Sequence, residues 1–185
     1  IENRPLLPSF LYLPNDNEFP KKTLALPWDA QNGVIVGEFA RAHGAKVPSR
    51  LVGSAKSWLS HSGVDRAEKI LPWSAPPDVP KVSPVEASAQ YLSHLMGALR
   101  HAGIPFDDVT LTVPASFDPA ARELTTKAAT QAGLANVTLL EEPQAALYAW
   151  LEKSGDAFRK QVRVGDVILV VDVGGGTSDF SLIAV

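Results

Sequence analysis

The sequence predicts an α/β protein with a mostly parallel sheet and crossover helices. Strand-like and helix-like segments alternate in its second half, where strand-like runs at 109–113 and 137–140 are each followed by a helical pattern. This alternation makes successive strands parallel and packs the intervening helices against the sheet. A last apolar run at 167–171 precedes three glycines and a second strand-like segment. Its unbroken apolar character predicts a strand buried on both faces.

Length and composition limit the possible functions. The 185 residues, of which 45% are hydrophobic and 20% charged, suffice for one large or two small globular units. The net charge of −3 gives no general attraction to nucleic acids or anionic membranes, and no apolar run is long enough to cross a bilayer. Cysteine is absent, which excludes disulfides and thiolate chemistry. Because residues 1–5 do not resemble a signal peptide, we expect a cytoplasmic protein without nucleic-acid or membrane partners.

The N-terminal part is predicted to contain short strands, a helical turn or two at 38–43 that ends at Gly44, and one longer helix. The longer helix is expected over 48–59, since Leu51, Ala55 and Trp58 fall on one face at helical spacing. Asn32-Gly33 favours a tight turn between two of the strands. The short strands are expected at 9–13, 21–26, 34–36 and 67–71.

Three longer helices carry explicit start signals. Ser83, Pro84 and Glu86 supply an N-cap, a proline at the first helical position and the acid of a capping box. Asp118 caps the second helix ahead of Pro119, and a proline also opens the third. The three helices are predicted to span 84–103, 119–133 and 143–155, with a polar connector at 154–166.

Polar residues and glycines gather where the predicted strands end. A ligand of an open α/β sheet lies beyond the carboxyl ends of its strands, and Pro114, Glu142 and Asp172 all follow strands. The turn Gly174-Gly175-Gly176 lacks Cβ atoms, so its N–H groups can form an anion-binding concavity. Asp172 and Asp179 would repel a bare phosphate. A divalent cation between the carboxylates and the phosphate would remove this repulsion. The alternatives are a plain hairpin turn and, for Glu142, a carboxylate that favours the helix dipole.

These motifs are similar to those of the Hsp70 (DnaK-like) chaperones in the actin/hexokinase-type ATPase superfamily. The segment 172–179 resembles the family's second phosphate motif. Residues 113–122 resemble its VPAYF…R segment, and 142–146 resemble its NEPTAAA helix start. Ser54-Ala55-Lys56 resembles the segment that carries the catalytic lysine. Each match is moderate, but their order through nearly the whole chain is specific.

The resemblance implies a ribonuclease H-like/actin-like first lobe, with a mixed sheet, crossover helices and a smaller upper α/β subdomain. Residues 1–166 would form this lobe, with the upper subdomain roughly at 38–108. Residues 167–185 would be the first hairpin of the second lobe. The family's opening hairpin, with its first phosphate motif, is expected to precede this stretch, and the adenosine motif and peptide-binding domain to follow it. We therefore expect a truncated, divergent part of the ATPase domain.

The activity that the resemblance implies is Mg²⁺-dependent hydrolysis of ATP to ADP. Lys56 matches the lysine that orients the attacking water and the γ-phosphate. Glu142 and Asp172 match the carboxylates that hold Mg²⁺ through its waters and position the hydrolytic water. The glycine turn and Thr177 match the phosphate-binding loop, and the Thr177 hydroxyl would be offered to the γ-phosphate or to the water. Phosphoryl transfer depends on positioning and charge neutralisation, which these residue types supply.

The family's interdomain relay is matched by Pro114 and Arg122. Without the resemblance these two would be read as a strand stop and a surface helix residue. The implied partners are unfolded or client polypeptides and possible co-chaperones, which would bind through other domains. Because the pattern places many phosphate contacts outside residues 1–185, we expect this stretch alone to be inactive and to bind nucleotide weakly or not at all.

Two other functions stay open. One is a non-catalytic Hsp70-like scaffold, and the other is an actin-fold phosphotransferase such as a sugar kinase. A P-loop ATPase is disfavoured because no Gly-Lys-Ser/Thr follows a strand, and a Rossmann dehydrogenase because a strand follows the contiguous glycines. The scaffold would use the proline-rich region and the tryptophans as its contact surface, namely Pro76, Pro77, Pro80, Pro84, Trp28, Trp73 and Trp150.

Overall fold

A computed structural model of the chain describes residues 6–20, 22–174 and 178–185. The described part is a mixed α/β fold, as predicted. Its strands are β1 Phe10–Tyr12, β2 Ile35–Val36, β3 Leu51–Gly53, β4 Val109–Val113, β5 Val137–Glu141, β6 Val167–Val173 and β7 Ser178–Ala184. Its helices are α1 Glu38–Gly44, α2 Ala55–Trp58, α3 Pro84–His101, α4 Pro119–Gln131, α5 Glu142–Ser154 and α6 Phe158–Gln161.

The strands form three small sheets in the described part. β2, β1 and β3 are antiparallel in that spatial order, β6 and β7 form an antiparallel hairpin, and β4 pairs with β5 in parallel. The register of the parallel pair runs from Val109↔Val137 to Val113↔Glu141, with α4 between the strands in sequence. This confirms the predicted strand–helix–strand unit. The prediction of a mostly parallel sheet is wrong, because β4–β5 is the one parallel strand pair among the described residues. The parallel pairing also brings the carboxyl ends of β4 and β5 to one edge.

The predicted starts of α3 and α4 are confirmed by their hydrogen bonds, whereas α5 begins at Glu142, one residue before the predicted Pro143, and has no side-chain cap. Ser83 Oγ accepts from the Glu86 N–H at 3.0 Å, and Glu86 Oε2 accepts from the Ser83 N–H at 2.8 Å, which is a complete capping box. Asp118 Oδ1 accepts from the Ala121 N–H at 2.7 Å. α4 buries small side chains against α3, so the two helices lie close together. The core between α3, α4 and β4 contains Val85, Ala89, Val113, Phe117, Ala121 and Ala128.

The predicted helix over 48–59 is wrong. Pro48–Arg50 is a 3₁₀ turn, Leu51–Gly53 is strand β3, and only Ala55–Trp58 is α-helical. Strand pairing overrode the local helical spacing here. Residues 51–53 form the antiparallel partner of β1, and Val52 pairs with Leu11 in the buried sheet. Ser54 then takes a left-handed backbone conformation (φ 56°), which turns the chain from β3 into α2.

Two predicted strands are also wrong. Residues 22–26 form turns with an isolated bridge between Leu26 and Asp29, while residue 21 lies outside the described part. The segment 67–71 contributes only a bridge between Leu71 and Val82. Pro27 and Pro72 directly follow the two segments and have no N–H to extend a ladder. The polar connector at 154–166 contains more secondary structure than predicted, namely a 3₁₀ turn at Gly155–Ala157 and helix α6.

The prediction that β6 is buried on both faces is wrong as well. In the described part β6 pairs only with β7, and the side chains of Val167, Leu169 and Val171 are all at least 52% exposed. On the partner strand Phe180 and Leu182 are exposed too. A two-stranded ladder covers few side chains by itself, so an apolar sequence alone did not ensure burial.

We expect Gly97→Ala to destabilise the protein. A Cβ at Gly97 in α3 would lie 2.4 Å from Cδ1 of Trp28, so the indole would have to move. The loss of Trp28 packing should outweigh the roughly 0.5–1 kcal/mol that alanine adds to a helix interior, leaving a net loss of about 1–2 kcal/mol. Urea unfolding followed by fluorescence measures this. The control is Ser93→Ala at an exposed site of α3, and a Gly97 variant as stable as the control would contradict the expectation.

A polar cluster fastens the loop after β1 to α1. Glu18 Oε1 accepts from the Tyr12 hydroxyl at 2.7 Å and contacts His43 Nε2 at 2.9 Å, while Oε2 accepts from the Asn15 N–H at 2.8 Å. Burial alone would raise the pKa of Glu18, but these three hydrogen bonds together lower it. Burial and the Glu18 carboxylate raise the pKa of Tyr12 to about 12. Glu18 is therefore held as a carboxylate in the folded protein.

Because the folded-state pKa of Glu18 is depressed, the cluster stabilises the fold above the unfolded-state pKa and loses this contribution as pH falls through the folded-state value. Glu18→Gln should cost about 1–2 kcal/mol at pH 7, since it removes bonds to a charged acceptor, and should cost much less at acid pH. Urea unfolding at pH 7 and at about pH 3 checks both values. Asp16→Asn in the same loop is the control, and an equal cost of Glu18→Gln at both pH values would refute this role.

Candidate functional site

Two residues predicted to be catalytic are in contact although they lie 86 positions apart. Lys56 Nζ on α2 donates to Glu142 Oε1 at the start of α5. β3 and the left-handed Ser54 deliver Lys56 to this place, and the end of β5 delivers Glu142. The Lys56 side chain is 50% exposed and that of Glu142 only 15%. The amine therefore stays open to solvent while the carboxylate is largely covered.

Glu142 is the first residue of α5 and is followed by the buried Pro143. A carboxylate in the first turn of a helix interacts favourably with the helix dipole. That structural role applies here together with the contact to Lys56. The prediction that Glu142 belongs to a polar site at the end of β5 agrees with this position, although its catalytic role is not tested by the contact.

A second ion pair involves Glu141, the residue before Glu142. Arg122 Nη2 on α4 donates to Glu141 Oε1 at 2.6 Å, and Arg122 Nε donates to the carbonyl oxygen of Phe117 at 3.2 Å. Pro114 is fully buried, and its carbonyl oxygen accepts from the Phe117 N–H at 3.1 Å in a tight turn. Arg122 thus ties α4 to the end of β5 and to the turn after β4. The sequence placed Glu141 together with Glu142 at the predicted ligand edge, but the pairing of Glu141 with Arg122 was not predicted.

A further ion pair, between Arg66 and Asp118, fixes the segment between β4 and α4. Arg66 donates to both carboxylate oxygens of Asp118, each at 2.9 Å. The hydrogen bonds from Arg66 and from the Ala121 N–H lower the pKa of Asp118. Asp118 therefore caps α4 and anchors the loop that contains Arg66. The pairing of residues 52 positions apart left no recognisable signal in the sequence.

The hairpin brings the two aspartates of the predicted phosphate motif opposite each other. Asp172 on β6 and Asp179 on β7 are Cα partners, so their side chains share a face. Ser116 Oγ, in the turn after β4, donates to Asp179 Oδ1 at 3.3 Å and links that turn to the hairpin. Gly174 directly follows β6. The remaining predicted residues of the phosphate turn, Gly175, Gly176 and Thr177, lie outside the described residues.

The carboxylates suit a magnesium ion that keeps its water. Like charges directly opposite each other in a ladder are destabilising, and a divalent cation near Asp172 and Asp179 would relieve this repulsion. Mg²⁺ commonly binds through one or two carboxylates and retains several waters. Within residues 6–20, 22–174 and 178–185, no group of three or more His, Cys, Asp or Glu side chains forms a closed metal cage. Lys56 occupies one oxygen of Glu142, so this carboxylate would contact metal-bound water through its other oxygen.

An apolar groove of about 450 Å³ lies next to α2 but does not include the charged residues above. It is lined by β3, by Trp58 and by the segment around Pro72 and Trp73. The rings of Trp58 and Trp73 stack with centroids 4.8 Å apart, and Trp73 remains 54% exposed. The scaffold hypothesis included Trp73 as a contact residue, and the groove gives that residue a defined setting.

The chain was compared with known proteins. A family model described as "Hsp70 protein" matches residues 29–185. The Chaperone protein HscA of Enterobacter sp. is 36% identical over 167 residues, which cover 83% of this chain and 26% of that protein. The Chaperone protein HscA homolog of Shewanella woodyi is 34% identical with the same coverage, and the Heat shock 70 kDa protein BIP3 of Oryza sativa subsp. japonica is 33% identical over 82% of this chain and 24% of that protein.

The chain thus spans about a quarter of the length of the curated relatives that it matches. Among the described residues, no helix is both long and apolar enough to cross a membrane. The family model covers most of the chain, from before β2 to the end of β7. It includes all the residues that the sequence motifs singled out, from Lys56 to Asp179. The chain belongs to the Hsp70 family.

Proposed function

We propose that this chain is part of the nucleotide-binding domain of an Hsp70-like chaperone. In a protein of the relatives' length, it would take part in Mg²⁺-dependent ATP hydrolysis coupled to the binding of client polypeptides. The observation that carries the proposal is the contact between Lys56 and Glu142. Both were expected to be catalytic because of the resemblance to the Hsp70 family, and the fold brings them together from distant parts of the chain.

The architecture that we propose is the first lobe of an actin-like ATPase, with an upper subdomain roughly at 38–108. The parallel β4–β5 unit with its helices would belong to the lower part of this lobe. The hairpin at 167–185 would begin the second lobe, and its pairing as a separate sheet is in accord with that role. The nucleotide would then lie between the end of β5 and the turn between β6 and β7.

The chemistry follows from the donors and acceptors in place. The Lys56 ammonium has three N–H donors, so it can keep its bond to Glu142 while donating another to a phosphate oxygen. The second oxygen of Glu142 can accept a hydrogen bond from a water and orient it. Mg²⁺, when bound, would neutralise phosphate charge, and Asp172 and Glu142 would hold it through its waters. The glycines 174–176 and Thr177 would donate to the phosphates.

Arg122 and Pro114 are proposed to relay the state of the nucleotide. Arg122 joins α4 to Glu141, which is the neighbour of Glu142 in sequence, and also holds the turn after Pro114. A displacement of Glu142 on nucleotide binding would therefore also displace this turn, through Glu141 and Arg122. In a longer protein the turn would pass the shift to the polypeptide-binding domain and to co-chaperones.

The proposal is tested by ATP turnover in a protein of full length, with and without Mg²⁺. We expect ATP hydrolysis that needs Mg²⁺, and its absence would contradict the proposed enzyme. For the 185-residue chain alone, calorimetry should detect weak ATP or ADP binding or none, and no turnover. Micromolar affinity in this chain would show that the described residues form a more complete site than we propose.

A non-catalytic scaffold is the second candidate, and the apolar groove favours it. A groove lined by Trp58 and the exposed Trp73 is a surface suited to a protein partner. Full-length protein that binds partners but lacks ATP turnover would support this function. Trp73→Ala should then abolish partner binding, whereas under the chaperone proposal it should leave ATP turnover unchanged.

A further inference from the structure

We propose that Glu141 is a positioning residue that reserves Glu142 for Lys56 by holding Arg122. Its consequence for catalysis rests on the proposed function, whereas its effect on Lys56 does not. The structure shows two successive carboxylates that divide two cations between them. Glu142 binds Lys56 from α2, and Glu141 binds Arg122 from α4.

The position of Glu141 explains why the carboxylates point to different cations. Glu141 is the last residue of β5 and has an extended backbone (φ −71°, ψ 136°), while Glu142 is the first residue of α5. The chain therefore changes from strand to helix between the two side chains. The two carboxylates are nevertheless carried by adjacent residues, whose Cα atoms are about 3.8 Å apart as in any trans peptide.

The Glu141 side chain has no role in capping α5. Glu141 occupies the N-cap position, yet its side chain makes no capping hydrogen bond, and Glu is not among the preferred N-cap residues. Its Oε1 instead accepts from Arg122 at 2.6 Å, the short distance of a charge-assisted bond. The side chains of both partners are about one-third exposed, with 30% for Arg122 and 34% for Glu141. Binding Arg122 is thus the contact that the structure gives to this carboxylate.

Loss of the Glu141 charge should redirect Arg122 to Glu142. The guanidinium stays tethered near the end of β5 because Arg122 Nε also bonds to the Phe117 carbonyl. Glu142 directly follows Glu141, so its carboxylate is the one that we expect the released guanidinium to approach. A planar guanidinium can bind a carboxylate through two N–H groups, so it would compete well with the ammonium of Lys56. Lys56 would then lose its bond to Glu142, although neither of these two residues was mutated.

The inference is tested on the 185-residue chain by NMR of its lysine side chains after ¹³C reductive methylation. The Lys56 signal is assigned with Lys56→Arg. We expect Glu141→Gln to shift this signal and Glu152→Gln, an exposed acid on α5, to leave it in place. The decisive variant is Glu141→Gln with Arg122→Met, which should restore the wild-type signal because the competing guanidinium is gone.

An unshifted Lys56 signal in Glu141→Gln, or a failure of the double variant to restore it, would overturn the inference. Restoration is specific to competition, because a merely structural role of Glu141 would make the double variant worse. In the full-length protein, Glu141→Gln should reduce kcat by about 10- to 100-fold, with the KM for ATP changed less than about twofold. If the wild-type protein has no turnover, the proposed function fails, and the NMR result alone decides the role of Glu141.

Discussion

Replacing Lys56 with alanine is expected to lower kcat for ATP hydrolysis at least about 100-fold in a protein of full length. The Kd for ATP should change less than about tenfold, because other groups supply most of the binding. The physical reason is that the ammonium beside Glu142 would donate to phosphate oxygens whose charge is redistributed in the transition state. Single-turnover kinetics and calorimetry measure the two quantities separately.

The matched control for this prediction is Lys69→Ala. Lys69 is another exposed lysine, and its Nζ lies 3.6 Å from Glu86 Oε1. An exposed pair of this kind contributes about 0–1 kcal/mol to stability, so turnover should stay normal. Unfolding of both variants should be compared first, because Lys56→Ala leaves Glu142 without its cation. Normal turnover in a folded Lys56→Ala protein would remove this residue from the mechanism.

Leu11→Ala is expected to lower the free energy of unfolding by about 3 kcal/mol, within the 2–5 kcal/mol range typical of such core truncations. Leu11 has no exposed surface and lies in β1, the central strand of its sheet, paired with Val36 and Val52. Its truncation would leave a cavity in the cluster that also contains Ala55 of α2. Urea unfolding of the 185-residue chain at pH 7 measures the change.

The chain offers a matched control in Leu6→Ala, the same truncation at a side chain that is 80% exposed. That variant should change stability by less than about 0.5 kcal/mol. Equal losses in the two variants would mean that β1 is not the centre of a packed sheet. Since Ala55 lies in the same cluster as Leu11 and precedes Lys56, the Leu11 variant should also perturb the Lys56–Glu142 contact.

The parts of the fold that local chemistry determines were predictable. The capping box at Ser83, the Asp118 cap and the strand–helix–strand order of β4, α4 and β5 depend on residues adjacent in sequence. The helix over 48–59 failed because a distant strand, β1, pairs with residues 51–53. A local apolar pattern contains no information about that competition, so tertiary pairing overrode it.

The candidate site shows the same division. Lys56 and Glu142 were identified separately by motif, and their contact could be anticipated only through the resemblance to a known family. The bonds of Arg66 to Asp118 and of Arg122 to Glu141 were not predicted. Both depend on three-dimensional neighbours that common surface charges do not specify. Charged residues are abundant on any surface, so their partners become evident only in the structure.

The exposed apolar face of the β6–β7 hairpin has a consequence for the colloidal behaviour of the isolated chain. The face carries no charged side chain, since Val167, Leu169 and Val171 alternate with residues on the other side of the ladder. Exposed apolar faces of this kind invite self-association at raised concentration. Light scattering should therefore increase with protein concentration, and a lysine at Leu169 should suppress it. Calorimetry on this chain is best performed dilute, where ligand binding is not confused with clustering.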